Sequence, residues 1–394
     1  LILNVYVTGD NRQNQLGIAK KQIITQLTYL DFEFDQISQS ESSTAFLVKD
    51  KLYGTGISQD YQLGTRTPTH LDVPTEIEYF QSIALKQIAL GDTFLIALTA
   101  DGFVYTSGSN LQGQLGRQTE TNSSPPAIID FNERASHVAA VKKVAYLVTF
   151  SKKLYVAGQC ELGLCGQLKD GIYKHFTHVK LSYDVDLVTP ITAALIVQSG
   201  SDFFALGQNT FGQFCQLKNN SSSVGRNYQF VKGNNLTQLY FTYGQLWFCG
   251  RDLSTIEAKT NYLTKVAVKA DDAAAIEDGM MVLNKDGVFI TGKSFLGNLG
   301  KDGEFYAEFT KISDLQKGMQ RIHSSGWSTF IYSGCSEAFH LKDGQCVQIY
   351  QAMNAQRGWF IAVFAMALAG IGALGYMTHY KVKKENALQQ NLDE

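Results

Sequence analysis

The chain of 394 residues carries 34 Lys and Arg against 36 Asp and Glu, and 44% of it is hydrophobic, enough to bury a sizeable core. A net charge of −2 leaves no basic stripe or tail of the kind a chromatin binder uses, so no nucleic-acid partner is expected. The seven histidines are scattered, and no nucleophile elbow or catalytic carboxylate pair can be placed, so no enzymatic activity is expected.

In chain order, LILNVYVTG (1–9) reads as a lone strand and runs into the loop GDNRQNQLG (9–17). FLVKDKLYGTG (46–56) reads as strand, turn, strand and runs into GISQDYQLG (56–64). FLIALTADGFVYTSG (94–108) repeats that layout around an Asp-Gly turn and leads to GSNLQGQLG (108–116). YLVTFSKKLYVAG (146–158) precedes GQCELGLCG (158–166), and LIVQSGSDFFALG (195–207) precedes GQNTFGQFC (207–215), where Cys215 takes the place of the second glycine. LYFTYGQLWFCG (239–250) keeps its strands and loses the tail. MMVLNKDGVFITG (280–292) precedes GKSFLGNLG (292–300), and GWSTFIYSG (326–334) is a last strand with no glycine loop after it.

Short β-branched and aromatic runs around a tight turn are hairpin signals. Recurrence of one unit every 40–50 residues marks a propeller or a solenoid. Residues 1–334 show no sustained 3.6-residue apolar period, which argues against helical repeats. The sequence thus predicts small antiparallel sheets, with the leading glycines at turns that need positive φ and the tail leucine turned inward. Six hairpins are complete, and pairing the two orphan strands at 1–9 and 326–334 makes a seventh blade. Closure from both ends leaves no exposed first or last edge. The fold class is all-β: a seven-bladed propeller over 1–334, plus one C-terminal helix.

These units resemble repeats of the regulator of chromosome condensation family, whose pattern is a hairpin, a leading glycine and a G-x-x-x-x-G-Q-L-G-like tail; residues 91–116 match it best. The family's frequent His-Thr pair is replaced by Asp92-Thr93 and Trp327-Ser328, and Ser107, Ala157 and Leu206 stand where a tryptophan often precedes the leading glycine. The resemblance implies the propeller fold. Its known functions include guanine-nucleotide exchange, photoreception and scaffolding, and a shared fold does not choose among them.

Past the propeller, in a linker (335–357), Cys335 and Cys346 flank SEAFHLKDGQ, and a disulfide between them in an oxidising space would staple the segment. Residues 358–380 include WFIAVFAMALAGIGALGYM, nineteen residues without a charge, long enough to cross a bilayer as a helix. Ala365, Ala369, Ala373 and Gly370 form a small-residue face suited to packing against another helix. Arg357 precedes the span, and Lys381, Lys383 and Lys384 open the basic tail (381–394), so the positive-inside rule places the propeller on the opposite side from the tail. The opening on Leu1 rather than Met leads us to expect a removed N-terminal signal.

GVFITGKS (287–294) fits the phosphate-loop spacing, but Val288–Thr291 aligns with strand residues of the other repeats rather than with a loop opening a helix. Cys160, Cys165, His175 and His178 are spaced loosely for zinc, yet Cys165 occupies the inward slot of Leu115, so no metal is expected. Sequons fall at Asn122, Asn219, Asn220 and Asn235. Taken together, the sequence predicts a non-catalytic scaffold: an accessory subunit of a respiratory-chain or ATP-synthase complex in the mitochondrial inner membrane, with its propeller in the intermembrane space. Its expected partners are other membrane-complex subunits and the lipid bilayer, with no small-molecule substrate and no cofactor. The alternatives are an exchange factor or regulator of a small GTPase, and a receptor module of the endoplasmic reticulum or plasma membrane.

Overall fold

The computed structural model describes residues 4–348 apart from 192–193, 208, 210–211, 213, 216–221, 227, 229, 235, 243–244, 252–258, 295, 302–304, 314–320, 334–338 and 343–344. Two compact units are distinguished, Leu1–Gly334 and Cys335–Glu394. Described strands in the second are Phe339–Lys342 and Gln345–Gln348, paired antiparallel.

The first unit is a seven-bladed propeller of four-stranded antiparallel sheets. Blade 1 runs from the axis outward through Gln36–Gln39, Ser43–Val48, Lys51–Ser58 and Thr69–Glu76. Blade 2 uses Leu85–Leu90, Phe94–Thr99, Val104–Ser109 and Ser123–Ile128, and blade 3 uses Ala135–Val141, Val144–Thr149, Leu154–Cys160 and Gly171–Val179. Blade 4 uses Leu187–Ile191, Ala194–Ser199, Asp202–Gly207 and Ser222–Arg226, and blade 5 uses Phe230–Gly233, Thr237–Thr242, Gln245–Arg251 and Lys259–Lys265. Blade 6 uses Asp272–Ile276, Gly279–Asn284, Gly287–Gly292 and Tyr306–Ser313. The chain ends share blade 7, in which Arg321–Ser324 and Ser328–Tyr332 are followed outward by Val5–Asp10 and Ile23–Leu30. Val5 pairs with Tyr332, Val7 with Phe330 and Gly9 with Ser328, which closes the ring as the two orphan strands predict.

The repeated hairpins are the second and third strands of each blade. The innermost and outermost strands carried weaker sequence signals. Thr69–Glu76 contains Pro74, and Ser123–Ile128 contains Pro125 and Pro126, which an outer edge strand tolerates because one side makes no ladder bonds. The leading glycines sit where the third strand crosses the turn between the first two. Gly158 has φ +112°, and a Cβ there would collide with the Lys143 carbonyl oxygen, so both dihedral and space require glycine. The core lies between blades. Phe34, Phe46 and Phe330 pack with Val5, Val7 and the tail residue Leu16 where blades 7 and 1 meet. Leu16, Leu63, Leu115 and Leu299 are all fully buried, so these four tails each drive one leucine inward, at about 1.5–3 kcal/mol per side chain.

Candidate functional site

One face of the ring carries the turns between first and second strands together with the glycine tails, and two recurring devices shape it. The first lies within each tail. Two residues after the leading glycine, a short polar side chain accepts a hydrogen bond from the main-chain N–H five residues on. Asn11 Oδ1 accepts from Leu16 at 2.9 Å, Asn110 Oδ1 from Leu115 at 3.0 Å, Asn209 Oδ1 from Phe214 at 2.8 Å, and Ser58 Oγ from Leu63 at 3.2 Å. In blade 3 those two slots hold Cys160 and Cys165, which form a disulfide with Cα atoms 5.4 Å apart. The zinc alternative fails because both thiols are consumed by that bond, and Cys165 is not a free thiol.

A second disulfide joins Cys215 to Cys249, with Cα atoms 5.3 Å apart. Cys215 holds the tail's second-glycine slot at φ 56°, and Cys249 directly precedes the leading Gly250 of the next blade. The same neighbours meet without a bond elsewhere: a Cβ on Gly116 would lie 3.3 Å from Ala157, and one on Gly166 would lie 3.0 Å from Leu206.

Nearer the axis, the innermost strands are laced by side chains that bond the main chain of the next blade. Gln36 donates to Ile88 O (3.2 Å) and accepts from Ile88 N (3.1 Å). Gln87 does the same to Val138, at 2.9 and 3.1 Å. His137 Nε2 donates to Val188 O at 3.2 Å, and burial pushes the imidazole down to about 4, so it is neutral and keeps its Nε2 proton on that carbonyl. In the same slot of blade 6, the fully buried Asp272 accepts from Ile322 N at 3.0 Å and takes the Lys232 ammonium at 2.6 Å, with Arg321 at 3.9 Å. His323 is held down to about 4, first by burial and then by the Lys232 charge. Leu187 fills the slot in blade 4 and has no polar group to offer.

The first-to-second-strand turns give the axial mouth of this face its charge. Glu277 is raised above the usual carboxylate range by burial, reinforced by the nearby Asp278 and Glu41, while Asp278 pairs with Arg251. Asp92 is also raised by burial, against the opposing pull of Lys142 and Lys143. Leu111 is well exposed in the blade 2 tail. On the opposite face, a pocket of about 350 Å³ lies between the blade 3 hairpin turn and the following connection, lined by Lys152, Lys153, His178 and Tyr183 among others. Tyr183 stacks on Phe204 with ring centroids 3.9 Å apart, and burial pushes its hydroxyl up to about 12.

The residues singled out for membrane function fall almost wholly outside the described part of the chain. Arg357, Ala365, Ala369, Gly370, Ala373, Lys381, Lys383 and Lys384 lie outside the described residues, as does Cys335; Cys346 falls in a described strand but its side chain is not described. Among the described residues no helix is long and apolar enough to cross a membrane. The GVFITGKS segment contributes Gly287–Gly292, a strand paired with Gly279–Asn284.

The architecture defines a seven-bladed β-propeller built from glycine-tailed repeats and closed by both chain ends. Residues 49–98 and 101–145 match the family model described as Regulator of chromosome condensation (RCC1) repeat. Those two stretches therefore carry repeats of that type, and the chain as a whole has the seven-bladed propeller fold. It is 31% identical over 156 residues to Protein RCC2 homolog of Xenopus laevis, covering 39% of this chain and 30% of that protein, and 28% identical over 162 residues to human Protein RCC2, covering 41% and 31%. The chain thus spans about a third of the length of the curated relatives it matches. Among solved structures, human WBSCR16 superposes with a TM-score of 0.70 at 16% identity, over 84% of this chain and 98% of that one. Prp20p of Saccharomyces cerevisiae, a structure reported with its binding properties to Gsp1p and histones, gives 0.66 at 14% identity, over 92% and 95%. At these identities the structural likeness speaks for the fold alone.

These relatives overturn the membrane-complex expectation. The matched relatives are RCC2 proteins and the superposed structures include yeast RCC1 (Prp20), none named as a respiratory-chain or ATP-synthase subunit, so the accessory-subunit role and its mitochondrial inner-membrane placement are withdrawn. The expected membrane-subunit and lipid partners are corrected likewise, since the yeast propeller of this fold is reported with Kap60, Gsp1p and histones rather than with membrane subunits. The physical reason is one of weight. A single apolar stretch at 358–380 was set above seven repeats, although it bears on anchorage and says little about what a propeller face binds.

Proposed function

We propose that this chain is a non-enzymatic regulator of a small GTPase, which its propeller grips through the tail-loop face. The observation that carries the reading is the RCC1-type ring itself, shared over nearly the full propeller with Prp20p, for which binding to Gsp1p is reported. The face suits a protein contact: four of its tails are pinned by a side-chain clamp and a fifth by a disulfide, while the side chains they present differ from blade to blade, including Arg12, Gln59, Leu111 and Glu161. Rigid loops with variable tips let a scaffold set specificity without ordering itself on binding. The matches to the E3 ligases HERC5 and HERC2 cover 13% and 5% of those proteins and carry no ligase activity to this chain.

The test is release of a fluorescent guanosine diphosphate from a panel of purified small GTPases, with the full chain at sub-stoichiometric concentration. Faster release from one member, together with a stable complex with its nucleotide-free form, is the expected result. No complex with any nucleotide-free GTPase would remove the proposal.

A further inference from the structure

We infer that Cys215–Cys249 is a thiol–disulfide exchange site, a reducible staple opened by a dithiol reductant, set at a seam whose lacing slot holds the apolar Leu187. At the junctions of blades 1 with 2, 2 with 3 and 3 with 4, Gln36, Gln87 and His137 bond the next blade's main chain. At the junction of blades 4 and 5 the lacing slot is Leu187, and the covalent link between Cys215 and Cys249 crosses that same junction further out. A disulfide thus stands where neighbouring junctions use hydrogen bonds, and unlike those bonds it responds to electron donors.

The two disulfides differ in access. Cys160, Cys165 and Cys249 are at most 1% exposed, whereas Cys215 is only partly buried. Exchange requires a thiolate to reach one sulfur. In the proposed step the reductant's thiolate attacks Cys215 Sγ, the Cys215–Cys249 bond breaks, and Cys249 leaves as a thiolate that takes a proton. The reductant's second thiolate then displaces Cys215 from the mixed disulfide. Two electrons and two protons pass from the dithiol, which ends as its own disulfide. The 4–5 junction is left with apolar packing alone at its lacing slot, so this sector of the ring loosens while the laced sector of blades 1–3 does not.

The measurement uses the full chain under native conditions, with dithiothreitol as the probe, timed thiol alkylation and peptide mass spectrometry. Cys215 and Cys249 are expected to alkylate at least tenfold faster than Cys160 and Cys165. Equal rates, or earlier opening of Cys160–Cys165, overturn the proposal. Hydrogen exchange on the reduced protein should rise in Asp202–Gly207 and Gln245–Arg251 and stay unchanged in Phe94–Ser109. A uniform rise, or one centred on the closing strands of blade 7, also overturns it. A double variant, Cys215→Gly with Cys249→Ala, restores the glycine that other tails carry in this slot and so relieves the left-handed backbone while deleting the bond. It should show the loosened pattern without reductant and no further change there on adding it. Exchange matching the oxidised protein would refute the staple's role.

Discussion

Blades 1–3 and blades 4–6 solve the same geometric problem with different chemistry. In the first sector each blade is tied to the next by a neutral side chain: Gln36 and Gln87 both donate to and accept from a main-chain pair, and His137 donates to one carbonyl. In the second the ties are an apolar gap bridged by a disulfide and then a buried carboxylate between two cations. The two amide ties respond little to pH or reductant. Charged and covalent lacing is stronger per contact but conditional, because removing one partner strands the other. What repeats here is therefore the position of a tie rather than the residue that makes it.

The sharpest way to break this contrast is Asp272→Ala. It leaves Lys232 and Arg321 without the carboxylate they share and Ile322 N–H without its acceptor, and should cost about 3–5 kcal/mol by equilibrium denaturation. A loss under 1 kcal/mol would mean that the second sector does not depend on its charges.

His137 is the laced sector's pH-sensitive member. Its folded value, about 4, lies below the 6.5 of an ordinary imidazole, so between those values the unfolded chain binds more protons than the folded one. Its contribution is complete above pH 6.5 and lost as pH falls toward 4, by up to about 3 kcal/mol. His137→Gln copies the residue that blades 1 and 2 use. It should match the wild type at pH 7 and outlast it at pH 4.5 in urea midpoints; parallel acid losses in the two proteins would contradict the assignment.

Gln87→Leu imports the blade 4 solution into blade 2 and leaves both Val138 main-chain groups unpaired, at about 1–3 kcal/mol. Leu187→Gln makes the reverse exchange and should be neutral or mildly stabilising. Opposite signs in a matched pair of thermal melts would establish that lacing, rather than side-chain volume, is what these positions supply. The smallest effect belongs to the tail of blade 3. Cys160→Asn with Cys165→Leu restores the clamp and the inward leucine of blade 2, and should stay within about 1 kcal/mol of the oxidised parent while removing that tail's sensitivity to reductant.

The leading glycines were readable because a positive φ under a crossing strand favours glycine and the position returns in every blade, and the tail leucines because four tails repeat them. The lacing was not readable, since Gln36, Gln87, His137 and Asp272 share a slot but no side-chain class, and the apolar strand residues around them mask the period. Both disulfides escaped for a related reason. Cys165 was taken for a small apolar filler because its slot is apolar elsewhere. The useful signal was Cys160, sitting where the other tails put asparagine or serine, five residues before a second cysteine. The outermost strands were missed because edge positions tolerate the prolines that argue against a strand.

The shared blade has a consequence for the order in which the molecule is made. Asp10 and Ser328 are bonded across 318 residues of chain, so Val5–Asp10, paired early on one side with Ile23–Leu30, lacks the partner for its other edge until almost the whole ring has been translated. Six blades can form in succession as their residues emerge, each hairpin local to itself, while Val5–Asp10 waits with an open edge. Contacts of such sequence separation form slowly. An arrested or truncated chain that ends short of Tyr332 is therefore an open crescent with two sticky rims, a form that a cell meets during every round of synthesis and must shield until the last strand arrives.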